Sequence, residues 1–510
     1  MKNYDFIIIG TGAGGGTLAR KLAPSGKSIL IVERGDYIPR EKENWDTNEV
    51  FLKARYKAHE TWKDKEGKEF HPGIHYCVGG NTKVYGAALL RMREHDFKEV
   101  KHYGGISPAW DICYEDLAPY YLEAEKLYAI HGLRGSDPTE PKEKAPYFHT
   151  PLKHETRIQE IYNQFETQGY HPFPLPVGFL KEQDDDTAQV PLDRFDGFPD
   201  PTESKADAHV VGIREALKYK NVTLLRNSYV QRLLTDNTGK RITSIEVKIK
   251  DEIIHFSADT VILSAGAINS AALLLRSAND KHPNGLANSS DVVGRHYMAH
   301  NNTAMVALST RPNPTKFGKT FAVNDFYFGS DSFPYPMGHI QLLGKSDALM
   351  FREDAPAFVP IFALKIIANH AVDFWMTSED LPLKENRVTL DANGQIQLSY
   401  TPNNLDGHKQ LEKKLRSILQ KSNTKNSILP SYVFLSKKIP LAGTAHQCGT
   451  IRFGKNPKTS ALNINCRAHD VENLYVVDGS FFPSSSAVNP ALTIIANALR
   501  VGDYLLNKSI

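Results

Sequence analysis

Short apolar runs that end in glycine or an acidic residue set the pattern at the start of the chain. Residues 4–10 (YDFIIIG) are β-favouring and predict a buried strand. Residues 12–23 open on glycines and predict a helix, and residues 28–33 (SILIVE) predict a second strand, which makes a βαβ unit. Residues 40–75 are polar and leave this pattern, and a glycine-rich turn follows at 78–86 (VGGNTKVYG). Residues 116–128 predict a helix that tolerates Pro119 in its first turn. Residues 132–205 are rich in Pro, Asp and Gly, and 183–187 (QDDDT) predict a solvated loop. Strand character returns at 260–266 (TVILSAG) and 474–479 (LYVVDG). Between these two, residues 301–440 alternate strands such as 303–308 with helices such as 408–420, and no internal repeat interrupts the chain.

The most apolar stretch, 355–375 (APAFVPIFALKIIANHAVDFW), contains Pro356, Pro360, Lys365, His370 and Asp373. These residues break it as a membrane span, so a buried wall of the protein is expected there and no transmembrane segment. An apolar strand begins within a few residues of Met1, which leaves no room for a secretory signal, and a cytoplasmic location is the expectation. Phe326, Tyr327, Phe328, Phe358, Phe362 and Trp375 hint at an apolar pocket, although core packing is the commoner use of such residues.

Composition narrows the function classes. The 510 residues exceed one simple core and suggest two or three units. Hydrophobic residues at 41% and charged residues at 23% fit a globular chain. A net charge of +3 without any basic block gives no footprint for nucleic acid. Cys77, Cys113, Cys448 and Cys466 are scattered without CxxC spacing, which fits neither a zinc site nor a disulfide framework. The pairs His71/His75 and His296/His300 have i,i+4 spacing but no third ligand, so no metal is expected. Ser484-Ser485-Ser486 forms no G-x-S-x-G elbow, so a serine hydrolase is not indicated.

Gly10-Thr11-Gly12-Ala13-Gly14-Gly15 satisfies GxGxxG between the first strand and the helix. Gly10 allows the tight turn, Gly12 lets backbone approach a pyrophosphate, and Gly15 lets helix and strand pack closely. Glu33 follows about 20 residues later at the end of the second strand, where a carboxylate accepts ribose hydroxyls and repels a 2′-phosphate. The motif alone leaves FAD and NAD open, since both carry pyrophosphate and an adenosine ribose.

The chain resembles the glucose–methanol–choline (GMC) oxidoreductases over most of its length. The resemblance rests on the glycine motif, on Gly79-Gly80-Asn81-Thr82, and on 264–270 (SAGAINS) followed by Leu273-Leu274. Val293-Gly294-Arg295 is a smaller echo. Three later elements complete it: 444–450 (TAHQCGT), 477–480 (VDGS) and 488–494 (VNPALTI). The resemblance implies FAD. It also implies an α/β fold in which a Rossmann-type FAD-binding domain, discontinuous in sequence, is joined to a second α+β substrate domain built on an antiparallel sheet. The expected boundaries are 1–145, 206–300 and 440–510 for the FAD domain, 146–205 for a loop-rich insertion and 301–439 for the substrate domain.

By the same resemblance, Gly10, Gly12, Gly14, Gly15, Glu33 and Arg34 hold the ADP half of the cofactor, and Val230 meets the adenine through its backbone. Gly79, Gly80, Asn81 and Thr82 run along the flavin, while Ala265, Asp478, Gly479, Asn489, Pro490 and Leu492 complete the cofactor set. Members with covalently bound flavin carry histidine where this chain has Val84, so non-covalent FAD is expected. Members with an iron–sulfur cluster carry cysteines around the loop that reads here 192–200 (LDRFDGFPD), which has none.

The implied reaction is oxidation of an alcohol or sugar hydroxyl by hydride transfer to flavin N5. A base near the hydroxyl makes the alcohol a better hydride donor, and histidine titrates near neutrality. His446 is the implied base, and Asn489 orients the same oxygen without competing for the proton. Two alternatives stay open: a flavin-dependent lyase or other non-redox member of the family, and a catalytically silent flavin-binding subunit. The small-molecule alcohol and the electron acceptor (oxygen, a quinone or a cytochrome) are not readable from the residues.

Overall fold

A computed structural model describes residues 3–180, 196–352, 355–421, 432–443 and 445–508. The loop expected at 183–187 and Thr444 lie outside the described residues.

The first sheet is built on the expected βαβ start. Strand Asn3–Ile9 pairs in parallel with Ile29–Val32 on one side and with the long strand Glu252–Leu263 on the other. Val222–Leu225 extends one edge and Leu474–Val476 pairs with Glu252–Leu263, both in parallel. Such strands are covered on both faces, which explains the continuous burial of Ile29–Val32. The N-terminal half of Glu252–Leu263 runs beyond the parallel layer and pairs antiparallel with Ile242–Ile249, which in turn pairs with Ser228–Thr235. Helix Ala13–Leu22 returns from the first strand and packs against the C-terminal helix Ala491–Lys508.

The second sheet is antiparallel throughout, in the order Tyr432–Lys438, Asn301–Ser309, Ala371–Ser378, His339–Leu342, Phe321–Val323, Pro172–Pro174. Side chains alternate across it with period two. Met305, Ala307, Ile340, Leu342, Phe374 and Met376 point to a core shared with Ile158 and Phe165 of helix Thr156–Thr167 and with Leu411 and Ile418 of helix Leu405–Lys421. The alternate positions form the opposite face: Asn302, His339, Gln341, Trp375 and Thr377. The Thr377 hydroxyl donates to the Ala487 carbonyl at 2.6 Å, so this face meets the C-terminal block of the first unit.

Two segments cross the expected boundaries. Pro172–Pro174, from the stretch read as a loop-rich insertion, is an edge strand of the second sheet; proline is tolerated at such an edge. Arg387–Leu390 and Ile396–Ser399 do not join that sheet and pair instead with Trp62–Asp64 and Glu69–Phe70 from the N-terminal unit.

The apolar stretch 355–375 is not one buried wall. Residues 371–374 are buried in the central strand, but helix Ile361–His370 buries only Leu364 and Ala368. Phe358 is 86% exposed and Phe362 64%. The helix is apolar around its circumference while only one side docks, so the other side stays uncovered. The aromatic pocket is not assembled either. Phe326 lies in the second core, Tyr327 is buried as a hydrogen-bonding residue, Phe328 is exposed, and Trp375 alone stands on the open sheet face. Among the described residues no helix is long and apolar enough to cross a membrane.

Candidate active site

The glycine motif divides its labour between packing and an open cradle. Gly10 has φ +99°, and a Cβ there would lie 2.3 Å from the Ser264 carbonyl oxygen. Gly14 and Gly15 are also packing positions, where a Cβ would meet the Val477 and Gly10 carbonyl oxygens at 2.0 and 2.2 Å. Gly12 differs from all three. It is the N-cap of helix Ala13–Leu22, and a Cβ there meets nothing within 4 Å. No side chain caps this helix and its first turn holds no acid, so its amides and dipole are left to attract an anion.

Glu33 closes the same corner. One of its oxygens accepts from the Thr11 amide and hydroxyl at 3.2 and 2.6 Å, and the other accepts from the Gly35 amide at 2.9 Å. Three of about four lone-pair positions are thus engaged, leaving capacity for one further donor. Burial pushes its pKa up despite these bonds. Arg34 pairs with Glu60 at 2.7 Å and stacks over the rings of Tyr76 and Tyr229 at 4.0 and 4.3 Å. Val230 is buried in strand Ser228–Thr235, with its side chain in the core.

The second turn lies against the first. The Gly79 amide donates to the Thr11 hydroxyl at 3.0 Å, and a Cβ on Gly80 would sit 3.2 Å from the Gly12 Cα. The Asn81 side-chain oxygen accepts from the His75 amide at 2.9 Å, and the Thr82 hydroxyl bridges the Gly79 carbonyl and the Ala208 amide. These side chains hold the turn in place. Buried Lys83 pairs with Asp207 at 2.7 Å beneath it. Gly86 abuts a second ion pair, Lys319–Asp196 at 2.7 Å, which ties this turn to the second sheet.

Asp478 is a staple. Its carboxylate accepts from the Gly266 amide and the Ser270 hydroxyl on one oxygen and from the Ser480 amide and hydroxyl on the other. It therefore joins the start of helix Ala267–Arg276 to the C-terminal block and has little capacity left for a ligand. Ala265 lies at that helix start, its amide donating to the Ser270 hydroxyl. Gly479 packs against the Gln447 carbonyl, Pro490 is buried ahead of the C-terminal helix, and Leu492 points into the core.

His446 and Asn489 are brought together from positions 43 residues apart: Asn489 Nδ2 lies 3.4 Å from His446 Nε2. Asn489 Oδ1 is buried without a partner among the described residues, an orphaned acceptor at the junction of the two sheets. On its other side His446 Nδ1 lies 2.9 Å from His300 Nδ1. Desolvation, then the neighbouring His300, Lys319 and His339, hold the His446 pKa well below 6.5. Neutral imidazole therefore prevails at ordinary pH, which is the form that can accept a proton.

His300, His339 and Gln341 were missed in the sequence as site residues. His339 and Gln341 alternate with apolar Ile340 and Leu342, a period-two signal of a strand with one polar face. His300 has no such signal, since only the fold sets it against His446. The histidine pairs considered for a metal are otherwise engaged: His75 and His296 contact the Tyr56 and Pro382 carbonyls. Among the described residues no cluster of three or more His, Cys, Asp or Glu could hold a metal.

Burial of neutral histidines makes acid stability predictable. His75, His154, His209, His296, His300 and His408 are lowered to about 4, and His339 to about 3, by desolvation. Unfolding returns each to its ordinary value near 6.5, so their contribution to stability is lost as pH falls from there toward 4. Buried Asp96 and Asp380 act oppositely. Burial raises them to about 7 and about 8, so their contribution is lost as pH rises through those values. His95 and His446 are lowered, and Glu33, Asp373 and Asp478 raised, in the same senses, so among the described residues nine histidines oppose five carboxyls, and thermal unfolding should show Tm falling from pH 7 to pH 5. A Tm that stays level or rises over that range would contradict the assignment.

A sequence profile described as GMC oxidoreductase matches residues 4–302 with its N-terminal part and 382–498 with its C-terminal part. The 2-methyl-1,2-propanediol dehydrogenase of Mycolicibacterium austroafricanum is 27% identical, over 99% of this chain and 95% of that protein. The fructose dehydrogenase large subunit of Gluconobacter japonicus is 26% identical, over 99% and 98%. Among solved structures, pyridoxine 4-oxidase from Mesorbium loti superposes with a TM-score of 0.67 at 18% identity, covering 98% of this chain and 99% of that one.

Proposed function

The chain belongs to the GMC oxidoreductase family, whose members bind FAD, and from that premise we propose that it oxidises an alcohol or sugar hydroxyl with His446 as base and Asn489 as orienting group. The observation that carries this reading is the pair itself: a neutral histidine nitrogen and an amide donor 3.4 Å apart, beside an orphaned amide oxygen.

The residues present fit the cofactor. The space in front of Gly12 would take the pyrophosphate, and Glu33 has capacity for a ribose hydroxyl, with Arg34 and Tyr229 beside it. The backbone of residues 79–82 and the Asn489-Pro490 segment would flank the flavin. When bound, FAD supplies the acceptor for the hydride that leaves the carbinol carbon. The protein supplies the remainder. Asn489 Nδ2 donates to the substrate oxygen and fixes its lone pairs, while His446 Nε2 receives the hydroxyl proton. The polar sheet face presents His339 and Gln341 near this point, and half-buried Trp375 adds an apolar surface.

Non-covalent attachment is part of the proposal. Position 84 is valine, and the adjacent Lys83 amine is committed to Asp207. Acid precipitation should release all of the flavin into the supernatant; colour retained in the pellet would refute this.

An anaerobic titration tests the reaction. Purified holoenzyme is offered sugars and primary and secondary alcohols, including 1,2-diols, and the flavin band near 450 nm is followed. Bleaching by one class, with the matching carbonyl product, is the expected result. Binding of FAD without bleaching by any of them would count against alcohol oxidation.

A further inference from the structure

We infer that His300 is a positioning residue that locks His446 in the tautomer whose Nε2 carries the lone pair, through a hydrogen-bond relay anchored by Glu379 at the Ser485–Ser486 peptide. This rests on the reading of His446 as base and adds the means by which the correct nitrogen is left free.

His300 Nε2 lies 3.3 Å from the Ser485 carbonyl oxygen. A carbonyl can only accept, so Nε2 carries the proton. His300 is 3% exposed and burial keeps it neutral, so it has a single N–H and its Nδ1 holds a lone pair. Across the 2.9 Å contact the donor must then be His446 Nδ1–H. Neutral His446 has no second proton, and its Nε2 is left as an acceptor. The other side agrees independently, because Asn489 presents its Nδ2 donor to that same nitrogen. The opposite tautomer of His446 would set two lone pairs against each other at 2.9 Å and an N–H against the Asn489 amide.

The peptide that fixes His300 is itself held. The Ser486 amide donates to Glu379 Oε1 at 3.2 Å, and the Ser107 hydroxyl donates to the same oxygen at 2.6 Å. Glu379 Oε2 lies 3.0 Å from His102 Nε2. Burial alone would raise the Glu379 pKa, but these bonds hold it low, so the carboxylate stays an acceptor. When His446 takes the substrate proton at Nε2, its Nδ1–H keeps an acceptor and the new imidazolium is stabilised. His300 gains no proton in this step. The titratable groups facing His446 are His300, His339 and Lys319, and Glu379 is the acid nearest His300.

The test measures the limiting rate of anaerobic flavin reduction against pH, using the alcohol found in the titration above. His300→Leu should keep FAD and substrate affinity within about twofold and lose about 10- to 100-fold in rate. Its acid limb should move, because the imidazolium loses both its acceptor and the neighbouring ring. His300→Asn places a carbonyl near the former Nδ1 and should restore both rate and midpoint to within a few-fold. Wild-type behaviour of His300→Leu would overturn the lock, and so would equal losses in both variants with an unmoved midpoint. His446→Ala separates the two readings: full activity there refutes the base itself, whereas its loss beside an unaffected His300→Leu refutes only the lock. Long-range proton–nitrogen spectra of wild-type holoenzyme add a measurement independent of variants. They should show the His446 proton on Nδ1, and a proton on Nε2 would overturn the inference.

Discussion

Replacing His446 with alanine is expected to slow anaerobic flavin reduction by about 10²- to 10⁴-fold while FAD stays bound. Among the described residues the imidazole bonds to His300 and Asn489 and not to the glycine turn, so cofactor affinity should be untouched. What disappears is the neutral nitrogen poised opposite Asn489 Nδ2. The pH profile carries a second signature. In the wild type the base is neutral above its depressed pKa, so the rate should be level through neutrality and fall only as the solution becomes acidic. His446→Ala should lose that acid limb along with the rate. Stopped-flow measurement across pH checks both, and a variant that reduces flavin at the wild-type rate would remove His446 from the chemistry.

The second large effect separates two glycines only three residues apart. Gly12→Val should fold normally yet bind FAD about 100-fold more weakly or worse. A Cβ at Gly12 meets no protein atom within 4 Å, so the backbone there has room for a branched side chain to begin. It does fill the space before the uncapped helix amides, and each lost hydrogen bond to a charged group costs about 1.5–3 kcal/mol. Gly15→Ala is expected to fail earlier. Its Cβ would lie 2.2 Å from the Gly10 carbonyl oxygen, backbone against backbone with nothing flexible to yield. Circular dichroism and FAD titration of the apoprotein distinguish the cases. A Gly12→Val protein with wild-type affinity would place the pyrophosphate elsewhere.

The contrast shows how much of the site was legible in the residues. GxGxxG announced a tight turn and a helix start because both are local, and local geometry is written in adjacent residues. It assigned Gly10 to the turn, Gly15 to close packing and Gly12 to the open approach, and the fold adds Gly14, which packs against the Val477 carbonyl. Asp478 and Leu492 are cofactor residues by resemblance, and the fold adds that the carboxylate is bonded to Gly266, Ser270 and Ser480 and that the leucine side chain faces the core. Such assignments depend on where the remaining lone pairs and side chains point, which spacing cannot express.

From sequence alone came the opening βαβ unit and the alternation of strands and helices after residue 300, and the resemblance pointed to His446 and Asn489. Each depends on short-range periodicity or on a motif whose residues are adjacent. Tertiary structure alone decided the rest. It sent Pro172–Pro174 to the second sheet and Ile396–Ser399 back to the first unit, left Phe358 and Phe362 in solvent, and set His300 behind His446 across 146 residues of chain. The physical reason is common to all four: strand partners, uncovered faces and tautomer-setting contacts are pairings between distant segments. Local propensity names the groups that can pair, and only the packed fold determines which of them do.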